Sequence, residues 1–395
     1  MMPLNDHFIE VGHYQYRKNG QAVPGDVFLS HRLPEQARVI AVLSDGLGSG
    51  VKANVLASLT ATMAAKYIEN YTDIKRTAEV IMDTLPVCSV RRISYSTFTI
   101  VDVEYSGRVR IVEHGNPTCQ LLRGCRSIDV SRQVITVEKW QDREVLYAEF
   151  DACVGDRLAI FTDGVAQAAV GSRAWPLGWG EENVQRFLGD CIRGQEHISA
   201  NQLARAVVDQ ARELDDHVAR DDISAAVIYI RQPRRLLLVT GPPFARERDS
   251  ELAQLVRSFP GRKVICGGTT ANIIARELDR KVVVCLDDDN DPEIPPVATM
   301  QGVDLITEGT LTLSRVADML ERHDGTDNTP RHAATMLRDE LLDSDQIEFV
   351  VGTRINEAHQ DPNIPLELET RRNLVARIQR VLESKHLKET QRRYL

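Results

Sequence analysis

The stretch Val39-Ile-Ala-Val-Leu-Ser-Asp45-Gly46-Leu-Gly48-Ser-Gly50 constrains this chain more than any other. Its run of consecutive apolar residues reads as a strand covered on both faces, and an Asp-Gly pair stops it. Glycines then turn the chain into a helical pattern from Lys52 to Asn70, with Leu56, Leu59, Met63 and Tyr67 on one face. Three chemistries use such a turn. A dinucleotide fingerprint needs G-x-G-x-x-G, whereas the spacing here is G-x-G-x-G. Asp45 beside the first glycine would also repel a pyrophosphate. A phosphate loop needs G-x-x-x-x-G-K-[ST], and Lys52 does not follow Gly50 directly. The third chemistry is a metal site.

Other segments repeat the arrangement. Asp163-Gly164 ends the apolar run Leu158–Phe161, Asp221-Asp222 begins the run Ile223–Ile230, and Pro24-Gly25-Asp26 precedes Val27-Phe28. One aspartate at a strand edge is simply a turn former. Several, each abutting a strong strand, can converge at one end of a sheet pair. Clustered carboxylates repel unless a hard cation neutralises them, and oxygen-only ligation suits Mg²⁺ or Mn²⁺.

The order Gly25-Asp26-x-Phe28, Ser44-Asp45-Gly46-x-Gly48-x-Gly50, Thr162-Asp163-Gly164 and Arg220-Asp221-Asp222-Ile223-Ser224 resembles the protein phosphatase 2C superfamily. Within it, the closest likeness is to the bacterial branch typified by stage II sporulation protein E, over about residues 20–231. The resemblance implies an α-β-β-α sandwich with a two-metal site at one edge. It implies a metal-dependent serine/threonine phosphatase that uses two Mn²⁺ or Mg²⁺ ions on a phosphoserine or phosphothreonine protein, such as a phosphorylated anti-sigma-factor antagonist. Asp45 would bridge both metals, Asp163 and Asp221 would hold one, and Asp26 and the Gly46 carbonyl the other. Asp221 is preferred to its neighbour Asp222, and Asp45 and Asp26 are the implied catalytic residues. A hydroxide attacking in line needs no Cys, Ser or His nucleophile. The alternative is a phosphatase-fold adaptor without turnover. Two departures stand out: Leu47 follows Gly46 where eukaryotic members carry histidine, and Arg17 lies in a loop rather than at a matched phosphate-binding position.

Composition narrows the rest. Acidic residues outnumber basic ones, 57 to 48, for a formal charge of −9, which disfavours a nucleic-acid partner. The pairs Arg234-Arg235 and Arg371-Arg372 read as solvated surface. No apolar run nears the ~18 residues of a membrane span, and Met1–Asn19 carries no signal-peptide core. The 7 cysteines form no C-x-x-C pair and mostly sit in apolar runs, as Cys266 and Cys285 do, so buried reduced thiols in a cytoplasmic protein are expected.

At 395 residues the chain suits two domains. The charged, proline-containing break Arg231-Gln232-Pro233-Arg234-Arg235 divides residues 1–231 from 236–395. Before it come strands Val39–Leu43, Tyr95–Val103, Val109–Val112, Leu158–Phe161 and Ile223–Ile230, and a helix over Ala200–Leu214. After it, Leu236–Thr240, Val264–Cys266, Val282–Leu286 and Ile347–Val351 read as fully buried strands between helices, which favours a parallel α/β sheet. Glu367–Lys388 reads as an amphipathic helix with Leu374, Ile378, Val381 and Leu382 on its apolar side. This second domain resembles no known family, and a regulatory, partner-binding or homodimer role is expected of it.

Smaller features carry expectations too. His114-Gly115-Asn116-Pro117 reads as a structural turn, and Asp129, Asp151 and Asp156 as surface acids. The loop with Trp175 and Trp179 is either a flap over substrate or a loop pinned by buried aromatics. Gly267-Gly268-Thr269-Thr270 opens a helix, with Thr269 or Thr270 as its cap or free N–H groups as an anion site. Asp287–Asp291 lacks the glycine and glutamate of a calcium loop and reads as an acidic turn.

Overall fold

The computed structural model describes residues 7–70, 76, 79–81, 84, 96–135, 144–285, 296–321, 332–354, 364–386 and 388–395, with 364–370 described in backbone only. The chain divides into two compact units, with Asn5–Gln232 in one and Pro233–Leu395 in the other.

The first unit begins with β1 (Phe8–Tyr16), β2 (Val27–Leu33), β3 (Arg38–Gly46), α1 (Gly50–Asn70), β4 (Ser96–Glu104) and β5 (Arg108–His114). It continues through β6 (Gln120–Arg123), β7 (Arg126–Ile128), β8 (Gln133–Ile135), β9 (Val145–Asp151), β10 (Asp156–Phe161) and α2 (Asp163–Ala166). Helices α3 (Glu181–Gly194) and α4 (Ala200–Leu214) lead to β11 (Ile223–Arg231). Two sheets form, ordered β1-β11-β10-β6-β7 and β2-β3-β4-β5-β9-β8.

Alternation explains the layering. Val39, Ala41 and Leu43 of β3 meet Ala226, Ile228 and Ile230 of β11 in the core between the sheets. The intervening Ile40 and Val42 face α1, while Ala225, Val227 and Tyr229 face the α3–α4 layer. Both faces of each strand are therefore covered, as continuous apolar runs require. The result is an α-β-β-α sandwich.

Helix α1 departs from its expected packing. Its sheet-facing side is Ala53, Ala57, Ala61, Ala64 and Ala65 with Ile68, whereas Leu59 is 48% exposed. Small residues let the helix lie close on β3, and the larger apolar side chains are displaced outward. Helix α4 is as expected, with Leu203, Val207 and Ala211 buried and a Ser199/Gln202 capping box at its start.

The second unit runs β12 (Arg235–Thr240), α5 (Asp249–Ser258), β13 (Arg262–Cys266), α6 (Gly268–Glu277), β14 (Val283–Val284), β15 (Ala298–Met300) and β16 (Val303–Thr307). It ends with α7 (Thr310–Glu321), α8 (Ala333–Asp343), β17 (Gln346–Val351), α9 (Ile364–His386) and β18 (Glu389–Tyr394). Its sheet, β14-β15-β16-β13-β12-β17-β18, is mixed. Strands β16, β13, β12, β17 and β18 are parallel, and β15 pairs antiparallel to both its neighbours. Helices α7, α8 and α9 cover one face, and α5 and α6 the other. On α9, Leu374, Ile378, Val381 and Leu382 pack into that core.

Three readings need correction. Val283 and Val284 form a short edge strand with 58% and 54% exposure rather than a buried parallel strand, because β14 has a neighbour on one side only. Asp156 is buried: it accepts a two-point ion pair from Arg123 at 2.8 and 2.9 Å and the Cys153 N–H at 2.8 Å. Of the described cysteines, Cys119 and Cys266 are buried, but Cys285 is half-buried and Cys153 exposed. Leu286, the acidic stretch Asp287–Asp291 and Cys88 lie outside the described residues. Among the described residues, no helix is long and apolar enough to cross a membrane.

Candidate metal centre

Strand register brings the acidic motifs to one end of the sandwich. In one sheet, Val27 pairs with Ser44, so Asp26 and Asp45 lie side by side where β2 and β3 part. In the other, Phe161 pairs with Ala225, so Asp163 follows β10 at the end where Asp221 and Asp222 precede β11. A buried hydrogen bond ties the sheets together: Thr162 Oγ1 donates to Asp26 Oδ2 at 2.9 Å and accepts the Ser224 N–H at 3.2 Å.

Two glycines allow this convergence. A Cβ on Gly46 would fall 2.1 Å from the Ala53 carbonyl oxygen of α1, and one on Gly164 would fall 2.1 Å from the Asp222 carbonyl oxygen. Each Asp-Gly pair thus places a carboxylate where another backbone segment passes too close for any side chain on the next residue.

The carboxyl groups lie close enough to influence one another: Asp45 interacts with Asp26 on one side and with Asp163 on the other. Burial first, then repulsion from Asp26, Asp163 and Asp221, pushes the Asp45 carboxyl up to about 10. Burial raises Asp26 to about 7, against the hydrogen bond from Thr162 and with repulsion from Asp222. Asp163 is raised by burial and then by Asp221. Such a cluster holds protons at neutral pH unless a cation replaces them.

Asp221 and its neighbour have different jobs. Asp221 lies at the wall of a cavity of about 360 Å³ together with Asp45, Asp163, Leu47, Thr97 and His114, and its carboxylate is 3.5 Å from Lys18 Nζ. Asp222 is buried and accepts the Lys18 and Gly25 N–H groups, each at 2.8 Å, which pins the loop leading to Asp26. Asp26 sits behind Asp45, away from the cavity wall.

Other expectations resolve here. His114-Gly115 is a turn, with Gly115 at φ 74°, and it also forms cavity wall, a role its turn chemistry does not announce. Arg17 donates to the Ala22 carbonyl and lines a separate cavity with Lys18 and His217. Trp179 is buried edge-on against Phe187 and Trp175 packs on the same core, so aromatics pin that loop. Sequence reading gave no role to the Thr162 hydroxyl or to the Ser224 N–H. The only signal was their place beside Asp163 and Asp222 in the motifs.

The donor set suits a hard divalent cation: carboxylate oxygens with the Gly46 carbonyl close by, and no thiolate among them. Among the described residues, no group of three or more acidic, imidazole or thiol side chains is arranged to hold a metal ion. Burial and mutual repulsion favour the protonated carboxyls, so a cation entering here would have to displace protons. Thr162→Val removes the hydroxyl that orients Asp26. It is expected to weaken Mn²⁺ affinity about tenfold, the scale for groups that orient a metal ligand, with the fold intact. Calorimetric titration of both proteins checks this.

Residues 35–231 match the family model described as Stage II sporulation protein E (SpoIIE). A comparison with curated proteins finds no match. Among solved structures, the chain is similar to the phosphatase domain, with a fragment of the regulatory domain, of the cell fate determinant SpoIIE from Bacillus subtilis. That likeness has 19% identity and a TM-score of 0.48, covering 57% of this chain and 64% of that one. The RsbU and RsbW domains of a Mycobacterium tuberculosis protein match at 16% identity over 63% of this chain and 68% of theirs, with a TM-score of 0.45. RsbX in complex with magnesium matches at 17% identity over 57% of this chain and 97% of its own, with a TM-score of 0.39.

Proposed function

Because residues 35–231 belong to the stage II sporulation protein E family of phosphatase domains, we propose that the first unit is a metal-dependent phosphatase acting on phosphoserine or phosphothreonine in a protein. The observation that carries this reading is the convergence of Asp26, Asp45, Asp163 and Asp221 at one end of the sandwich, with Asp45, Asp163 and Asp221 on the wall of one cavity.

In this reading Asp163, Asp221 and Asp45 would hold one Mn²⁺ or Mg²⁺ ion, and Asp26, Asp45 and the Gly46 carbonyl would hold a second. Magnesium is the ion named for RsbX. Bound there, such ions acidify water to near neutrality and neutralise the phosphoryl oxygens as the bond breaks. The chain's own residues set the stage. Thr162, itself held by the Ser224 N–H, fixes Asp26, and Asp45 lines the cavity. Asp222 anchors the loop carrying Lys18 and Gly25, and Lys18 steadies Asp221. Asp45 and Asp26 hold protons at neutral pH that a bound cation would displace, which would couple activity to pH. Leu47 and Thr97 line the space for the phosphorylated side chain. We place the protein among soluble regulators, with the second unit as the partner-binding or dimer-forming part.

The test is hydrolysis of an aryl phosphate and a phosphoserine peptide by the full chain, with Mn²⁺ and with chelator. Turnover of both in Mn²⁺ alone supports the reading. Tight Mn²⁺ binding without turnover of either substrate would favour an adaptor that has kept the site but not the reaction.

A further inference from the structure

In the second unit, every strand of the β16-β13-β12-β17 group runs into a glycine within two residues of its carboxyl end: Gly309, Gly267, Gly241 and Gly352. Open α/β sheets take ligands outside the carboxyl ends of their strands, at the point where chain order reverses. Here the order reverses between β12 and β17. The β12–β17 side is closed by backbone, since a Cβ on Gly352 would lie 2.1 Å from the Pro242 carbonyl oxygen and 2.2 Å from that of Gly241. The β13 side is open: a Cβ on Gly268 would meet nothing within 4 Å.

Helix α6 starts there. Its N-cap is Gly267, at φ 124°, and no side chain caps it, so neither Thr269 nor Thr270 is the cap their position suggested. The first-turn N–H groups of a helix have no partner within the helix. Gly267 and Gly268 leave no side chain between those groups and an incoming anion. The adjacent loop closes one flank, with Gly309 near enough that its Cβ would touch Gly267 Cα at 3.6 Å. Glu308 of that loop is turned away, accepting the Leu311 and Thr312 N–H groups of α7 at 2.9 and 3.3 Å.

A second observation is independent of the helix end. Thr270 is 1% exposed, and its hydroxyl makes no hydrogen bond among the described residues. Its Oγ1 lies 3.5 Å from where a Cβ on Gly267 would sit, facing the turn. A hydroxyl in a nearly enclosed site is rarely left without a partner.

We propose that the β13–α6 turn binds the phosphoryl group of a small soluble ligand. The Gly268 and Thr269 N–H groups and the Thr270 hydroxyl are the donors, and the helix end complements the charge. This site is separate from the aspartate cluster and does not depend on the phosphatase reading.

Hydrogen exchange on the full chain, with and without inorganic phosphate, tests it. Phosphate is expected to slow exchange over residues 268–271. Gly268→Glu, which adds a carboxylate in open space, should abolish the effect. Thr270→Val, of the same shape, should weaken it about tenfold, the scale of one hydrogen bond to a charged group. Asp45→Asn should leave the effect unchanged, separating it from phosphate bound in the first unit. Absence of slowing at 268–271, or slowing that persists in Gly268→Glu, overturns the proposal.

Discussion

Asp45→Asn is expected to lower Mn²⁺-dependent turnover by about 10²–10³-fold or more, the scale for removing a group that stabilises charge in the transition state, and yet to raise the stability of the metal-free protein. Both effects have one cause. Asp45 lies between Asp26 and Asp163, and burial and their repulsion push its carboxyl up to about 10, with Asp26 at about 7. Both values stand above the ordinary carboxylate range, so between about pH 4 and these values the folded state binds more protons than the unfolded chain. The cluster's contribution is therefore fully present at acid pH and is lost as pH rises through about 7 and then about 10. An amide at position 45 removes one member of the repelling set. In chelator at pH 8 the variant should be more stable than the wild type by roughly 1–3 kcal/mol, and at pH 4 the difference should nearly vanish. Saturating Mn²⁺ should reverse the order, since only the wild type gains from binding. Denaturant melts at both pH values, with and without metal, check each part.

Gly46→Ala is expected to be among the most damaging single methyls in the first unit. The new Cβ would lie 2.1 Å from the Ala53 carbonyl oxygen and 2.6 Å from its carbon, atoms of the α1 backbone that cannot swing aside. Helix α1 would have to lift from β3, loosening the alanine contacts of Ala57, Ala61 and Ala64 and moving the Gly46 carbonyl. A cost of about 3 kcal/mol follows, at the upper end for overpacking, with loss of Mn²⁺ binding. Gly194→Ala is the control: at the last residue of α3, its Cβ would meet nothing within 4 Å. That change should be neutral or slightly stabilising. Thermal melts of the three proteins decide it, and equal melting of Gly46→Ala and wild type would show that α1 does not bear on β3 as described.

The same close approach explains where sequence and structure part. Strand β3 could be read because its faces are both buried and its end is marked by Asp45-Gly46. The face of α1 could not, because periodicity favours the bulky set Leu56, Leu59, Met63 and Tyr67, whereas the close approach to β3 favours small residues, mostly alanines. The aspartates stood out in the sequence by their strand-end positions. The hydroxyl of Thr162, the two backbone N–H groups on Asp222 and the cavity wall at His114 depend on residues far apart in the chain, and no local pattern encodes them. In the second unit, alternating strands and helices revealed the parallel core of the sheet. Val283 and Val284 misled because an apolar run says nothing about how many neighbours its strand will have.

The measurement that bears most directly on the metal centre is a calorimetric titration of the chelator-stripped full chain with Mn²⁺ at pH 7, repeated in buffers of different ionisation enthalpy. The account predicts two ions per chain in the wild type, proton release on binding as Asp45 and Asp26 give up their protons, and loss of at least one ion together with the proton release in Asp45→Asn. Saturable binding that is unchanged in Asp45→Asn, or no binding at millimolar Mn²⁺, would contradict it.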